Sequence, residues 1–280
     1  MKKSLHGVTL LGVDCVDIER LILAAKICLK DFEFEDVKLL TSIRSEYPSI
    51  VPIEHISSVE QYSKFIIEKL DEYVASSHVL VIQYDGFILN PEAWSDVFLH
   101  YDYIGAPWLV RQSHINSMGW PAELLGSYLV GGGGFSLRSK KFLSLCADLA
   151  RQNFFSTYHP EDTILCVDNR EYFESAGIRF SPVPIAQQFS YEAEDMEKYT
   201  WDGQFGFHGL QWTDISKWTR EHPEYKIDNT LRAVGKTIHI SETVKSLNVA
   251  PLSRVRTSSH TASQQNQPLE RVASFTYVRG

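Results

Sequence analysis

The chain has 280 residues, with 27 Lys+Arg against 35 Asp+Glu and a formal charge of −8. A hydrophobic fraction of 44% excludes a disordered chain and supports a large buried core in one large domain or two small ones. The acidic balance excludes a general nucleic-acid binder, whose footprint is basic, but leaves room for an anionic small molecule in a cleft of its own local field.

No apolar run approaches the roughly 20 residues of a membrane span. The stretch after Met1-Lys2-Lys3 is cut by Asp14 and Asp17, so no signal peptide is expected and the protein reads as soluble and cytoplasmic. Cys15, Cys28, Cys146 and Cys166 show no metal-type spacing and read as buried, reduced thiols.

Residues 7–13 read as a buried strand stopped by Asp14, and residues 18–29 as a helix with apolar side chains at 18, 21, 22, 25 and 29. Residues 37–43 form a second strand. After Pro48 and Pro52, Ser58 caps a helix carrying Tyr62, Phe65, Ile66, Leu70 and Tyr73. Residues 79–82 are the most apolar strand and suit the centre of a parallel sheet. This alternation predicts an α/β domain whose loops at Asp14, Arg44 and Asp85 gather on one sheet edge, where ligands bind. No G-x-G-x-x-G follows the first strand and no G-x-x-x-x-G-K-[ST] occurs anywhere, which removes the commonest dinucleotide and phosphate loops.

In the second half, residues 103–108 read as a strand ending in a turn, and Gly131 to Gly134 as a glycine run entering another strand. A helix follows over 140–151. Glu161 and Asp162 open the next, and residues 178–183 form a late strand. Residues 1–239 are expected to form the domain. Residues 240–280 are expected to be an extended or partly disordered tail of charge +3 on a body of −11. That tail would supply weak attraction to a membrane surface or an anionic glycan.

Four features can carry chemistry, and each has a plainer structural reading. Asp85-Gly86 places a carboxylate past a buried strand, where it can hold a divalent cation, but the pair also makes a simple turn. The glycine run can be a floor beneath a flat ligand, or a flexible loop. In His159-Pro160-Glu161-Asp162 an acid can act as a general base or merely complement a helix dipole. His208, in Gly206-Phe207-His208-Gly209, can be a ligand or a structural histidine.

Their order is more telling. Gln83-Tyr84-Asp85-Gly86, Asn90-Pro91, Trp94, residues 101–108, Gly131-Gly132-Gly133-Gly134-Phe135-Ser136-Leu137-Arg138, Pro160-Glu161-Asp162 and Phe205 to Gly209 together resemble a bacterial family known by a DUF5672 domain. Its members are regarded as GT-A-type glycosyltransferases, and the resemblance spans residues 7–210. It implies a GT-A-like (Rossmann-like) single α/β domain: a mixed, mainly parallel central sheet flanked by helices.

The resemblance also implies a metal-dependent hexosyl transfer, inverting at the sugar, from a nucleotide-sugar donor to a hydroxyl of a bacterial surface glycan or glycolipid. Gln83-Tyr84-Asp85 stands at the family's Asp-x-Asp position, with Gln83 replacing the first acid. Asp85 and His208 would hold Mn²⁺ or Mg²⁺, and Asp14, Gln83 and Asp85 would bind the donor. Gly132, Gly133, Gly134, Phe135 and Trp108 would line the sugar and acceptor site. Asp162, paired with Glu161, would be the catalytic base. Trp120, Tyr128, Trp201, Phe207 and Trp212 are further aromatics expected near the cleft. Two alternatives stand beside this reading. One is a catalytically inactive carbohydrate or nucleotide-sugar binding protein, favoured by Gln83. The other is a nucleotidyltransferase, disfavoured because Lys26 and Lys30 lie well inside the first helix.

Overall fold

The computed structural model describes residues 2–193 and 199–227, and the backbone alone of 230–233 and 236–239; the tail expected over 240–280 lies outside the described residues. The chain opens with β1 (Lys3–Val13), α1 (Ile18–Asp31) and β2 (Phe32–Thr41), which follows α1 without a loop. Next come β3 (Ile50–Pro52), α2 (Val59–Lys69) and β4 (His78–Ile82), then β5 (Tyr103–Ile104), β6 (Pro107–Leu109), α3 (Gln112–Met118) and β7 (Tyr128–Val130). β8 (Ser136–Ser139) leads into α4 (Lys140–Arg151), α5 (Glu161–Thr163), α6 (Arg170–Ser175) and α7 (Val183–Phe189). β9 (Ser190–Glu192), β10 (Gly206–His208), α8 (Ser216–Glu221), β11 (Thr230–Ala233) and β12 (Lys236–His239) complete it. The helix starts follow their caps: Asp17, Ser58 and Ser139 accept from the backbone N–H of Glu19, Gln61 and Phe142.

Six strands form the central sheet in the order β3-β2-β1-β4-β8-β5. β1 to β4 are mutually parallel and β8 runs against both its neighbours, so the sheet is mixed and mainly parallel, as expected. The order 3-2-1-4 reverses between β1 and β4, and ligands of doubly wound sheets bind outside the carboxyl ends of strands at such a reversal. Side chains alternate between two cores. Leu10, Leu80, Ile82 and Leu137 pack with Leu21 and Cys28 of α1 and with Phe135, Phe189 and Phe205. Leu11, Val13, Val79 and Val81 pack with Ile66 of α2 and Leu143 of α4 on the other face. A third core gathers Phe142, Cys146 and Phe173 around Tyr103.

Two expected elements differ. Residues 178–183 are not a strand: Phe180 makes a lone bridge to Tyr103, and Val183 starts α7. Pro182 and Pro184 lack the N–H that a ladder needs and suit a helix entry instead. Residues 103–108 divide at Gly105, with β5 in the main sheet and β6 in a separate ladder with β7. All four cysteines are buried and free. No described helix is long and apolar enough to cross a membrane.

Leu80 is fully buried at the centre of β4. Leu80→Ala should cost about 2–5 kcal/mol, read as a lower midpoint in urea with an unchanged slope.

Candidate active site

Three local features bring distant residues to the carboxyl edge of β1 and β4. Beyond β4 the chain makes a tight turn, with Gln83 N donating to Gly86 O at 3.0 Å and Gly86 N to Gln83 O at 3.1 Å. Because β8 is antiparallel, with Ser136 opposite Val81, the glycine run that precedes it falls beside this turn. β9 and β10 pair in parallel with His208 opposite Glu192, and Gly209 N donates to Asp85 O at 2.8 Å, which holds His208 against the turn. The resulting cleft is lined by Asp14, Arg20, Tyr62, Gln83, Tyr84, Asp85, Gly134, Glu161, Asp162, Glu192, His208 and Trp212, among others.

A hydrogen-bonded chain crosses its floor. Gln83 Nε2 donates to Tyr62 Oη at 2.8 Å, and Gln83 Oε1 lies 3.1 Å from His208 Nε2. His208 Nδ1 lies 3.2 Å from Glu192 Oε1, an ion pair when the ring is protonated, and Trp108 Nε1 reaches Glu192 Oε2 at 3.4 Å. Burial disfavours the His208 imidazolium, but Glu192 and then the charges of Asp85 and Asp162 outweigh it and raise the ring to about 9. Asp85 Oδ1 lies 3.8 Å from His208 Nε2 and makes no hydrogen bond among the described residues. Burial raises the Asp85 carboxyl above its ordinary range, His208 only partly offsetting it.

The third acid, Asp162, accepts from Gly133 N at 3.1 Å and from Thr163 N at 2.9 Å. Burial, and next the charge of Glu161, push it up to about 7 against the Gly133 hydrogen bond. A carboxylate with its pKa near neutrality can take and release a proton at working pH. Asp85 and His208 could hold a cation between them once the ring gives up the proton that Glu192 favours. A buried carboxylate oxygen without a partner fits that use, and a cation shared with substrate phosphates needs only one or two protein ligands. Among the described residues no group of three or more His, Cys, Asp or Glu side chains is arranged for a metal.

A family model described as "Protein of unknown function (DUF5672)" matches residues 48–208, more than half of the chain. The chain belongs to the DUF5672 family. No curated protein matches it. Among solved structures, a bifunctional IspDF from Campylobacter jejuni is similar at 11% identity and a TM-score of 0.38, over 62% of this chain and 48% of that one. The chain thus spans about half the length of that enzyme. The galactosyltransferase LgtC, in complex with donor and acceptor sugar analogues, is similar at 15% identity and a TM-score of 0.42, over 78% of this chain and 94% of that one. A197 from STIV is similar at 13% identity and a TM-score of 0.29, over 62% of this chain and 79% of that one. The fold class of this DUF5672 chain follows from its own strand order and register.

Asp14, Gln83, Asp85, Asp162 and His208 meet in the cleft as expected, whereas Arg44 does not line it. Several other expectations are corrected. Of the glycine run only Gly134 lines the cleft, because the run is packed by the protein itself. A Cβ on Gly131 would enter the Trp108 ring, on Gly133 the Glu161 carboxylate, and on Gly134 the His208 ring, while Gly132 presses on Ala106. Phe135 is fully buried between Phe189 and Phe205, and Trp108 sits behind Glu192 rather than at the surface of the cleft. Of the other aromatics only Trp212 lines it; Phe207 and Trp201 belong to the core, Trp120 donates to Asp168, and Tyr128 is exposed.

Glu161 lines the cleft, but its Oε1 is bound by Arg138 Nη2 at 2.5 Å, and Arg138 also donates to Gly133 O at 3.2 Å. Arg138 is almost wholly buried, so Glu161 serves as its counter-ion. Sequence reasoning missed Arg138, Tyr62, Arg20 and Glu192. Arg138 did leave a signal, as a charge inside an otherwise buried strand; the others did not.

Glu161→Ala would leave the Arg138 guanidinium buried without its counter-ion and should cost about 3–5 kcal/mol. Asp162→Asn should leave the melting temperature near that of the parent. Thermal melts of the two variants side by side check this contrast.

Proposed function

We propose that this protein is a metal-dependent glycosyltransferase, inverting at the sugar, that moves a hexosyl group from a nucleotide-sugar donor to a hydroxyl of a glycan or glycolipid. The observation that carries the reading is the meeting of Asp85, His208 and Asp162 in one cleft at the β1–β4 reversal.

Asp85 and His208 would hold Mn²⁺ or Mg²⁺, imidazole favouring Mn²⁺. Such a cation, when bound, neutralises the leaving diphosphate as a Lewis acid. Gln83 carries no charge; it braces the Tyr62 hydroxyl and the His208 ring at fixed positions. Asp162 takes the proton of the acceptor hydroxyl while that oxygen bonds to the anomeric carbon. The bond from that carbon to the diphosphate breaks in the same step, and its electron pair leaves with the nucleoside diphosphate. One base suffices for such a single displacement. Trp212 at the rim offers an aromatic face to sugar C–H surfaces.

One observation favours a second reading, nucleotidyl transfer. Arg20, in the first turn of α1, supplies the basic group near the first loop that Lys26 and Lys30 do not. The products separate the two: nucleoside diphosphate for glycosyl transfer, pyrophosphate for nucleotidyl transfer. A protein that binds nucleotide sugar and never turns it over would be a binding protein.

With donor, acceptor and Mn²⁺ supplied, Asp162→Asn should lower kcat by roughly 10²–10⁴-fold. Since the base must be ionised, kcat should fall as pH drops below about 7 and level off above it. A flat profile between pH 5 and 9 would exclude Asp162 as the base. Asp85→Ala should abolish Mn²⁺-dependent nucleotide binding measured by calorimetry; unchanged binding would remove the metal assignment.

A further inference from the structure

The β1 end of the cleft carries a group that no expectation included. Arg20 Nε donates to Asp14 Oδ2 at 2.7 Å, and the guanidinium lies 3.8 Å from the centroid of the Tyr84 ring. Asp14 is itself fixed, its Oδ1 accepting from Val16 N at 2.8 Å and Asp17 N at 3.0 Å. The planar fork is therefore clamped on its edge and on its face. Arg20 Nη2 is nevertheless buried and has no hydrogen-bond partner among the described residues. An unmet N–H on a charged group is costly, so a fork held in this way is prepared for an acceptor from outside the chain.

The layout indicates which acceptor. Asp162 contacts Gly133, just before β8, Asp85 follows β4 with His208 of β10 beside it, and Arg20 of α1 contacts Asp14 at the end of β1. On the reading above, sugar and diphosphate occupy the first two places, which leaves the nucleoside over Asp14, Arg20 and Tyr84. The charge of Arg20 is already balanced by Asp14, so the pair is close to neutral and suits a neutral oxygen better than another phosphate.

We propose that Arg20 reads the nucleobase, its Nη2 donating to a carbonyl oxygen of the base. The site would then take a nucleoside diphosphate with an oxo base (uracil, thymine, cytosine or guanine). It would disfavour adenine, which has no carbonyl and whose amino group opposes the guanidinium. This inference rests on the nucleotide-sugar reading.

The test is calorimetric titration of the full chain with UDP, dTDP, CDP, GDP and ADP, each with Mn²⁺. At least one oxo-base diphosphate should bind about tenfold or more tightly than ADP. Arg20→Lys keeps a positive charge beside Asp14 but lacks the planar fork; it should keep the melting temperature and bring the ratio towards one by weakening the oxo-base ligand alone. The inference is overturned if ADP binds as tightly as the others, or if Arg20→Lys weakens all five alike, which would mark a phosphate contact. An unchanged ratio in the variant overturns it as well. Binding of none of the five by the parent protein removes the nucleotide-sugar reading, and this inference with it. Should Arg20→Lys melt early, competition decides: the free nucleoside of the tightest diphosphate should displace it and adenosine should not, and equal displacement overturns the assignment.

Discussion

The backbone of Gly131 to Gly134 has to run where no Cβ fits. Trp108, Ala106, Glu161 and His208 press on it, and these come from three segments far apart in sequence: residues 106–108, Glu161 and His208. The same backbone is also hydrogen-bonded at Gly131 N and at both polar groups of Gly133. Gly133 N donates to Asp162, and Gly133 O accepts from Ser136 and from Arg138, which in turn holds Glu161. The run therefore acts as a junction: it lets His208 reach Asp85, and it sets Asp162 at a fixed height above the sheet. Side chains there would push these groups apart before any ligand arrived.

Charge explains how an acidic cleft can serve an anionic substrate. Among the described residues five carboxylates line it: Asp14 contacts Arg20, Glu161 contacts Arg138, and Glu192 contacts the His208 ring, whose proton a bound metal would have to displace. The other two, Asp85 and Asp162, have no arginine or lysine partner among the described residues, and burial raises both. Desolvated carboxylates of this kind are stabilised by a cation or by a proton. Those are the two roles assigned to them, Asp85 towards a metal and Asp162 towards the acceptor hydroxyl. The chain's overall −8 is thus a poor guide to what the cleft accepts, since most of its acids are already paired.

Much of the fold was legible because buried strands are short apolar runs. Residues 79–82 announced β4, Ser58 announced α2, and the interval 140–151 matched α4. The misread interval, residues 178–183, is apolar enough for a strand, but its prolines favour a helix entry. In the site, residues next to turn-forming or glycine-rich segments were legible, as with Asp85, Asp162 and His208. What stayed hidden is non-local. The roles of Glu161 and Glu192 depend on Arg138 and His208, which meet them only after folding. Arg20 and Tyr62 look like ordinary positions of amphipathic helices, and nothing in a helical repeat reveals that one face opens on a cleft. The glycine run was visible, but its reading as a sugar floor failed because close approach came from the protein's own side chains.

The central claim is that one cleft at the β1–β4 reversal binds a metal and a nucleotide together. Crystals soaked with Mn²⁺ and the tightest-binding nucleoside diphosphate test it most directly, through the anomalous signal of the manganese. The account predicts a manganese peak within coordination distance of Asp85 and His208, bridging to the diphosphate, with the nucleoside lying towards Asp14 and Arg20. A nucleotide bound outside this cleft, or bound in it with the manganese elsewhere, would contradict the account.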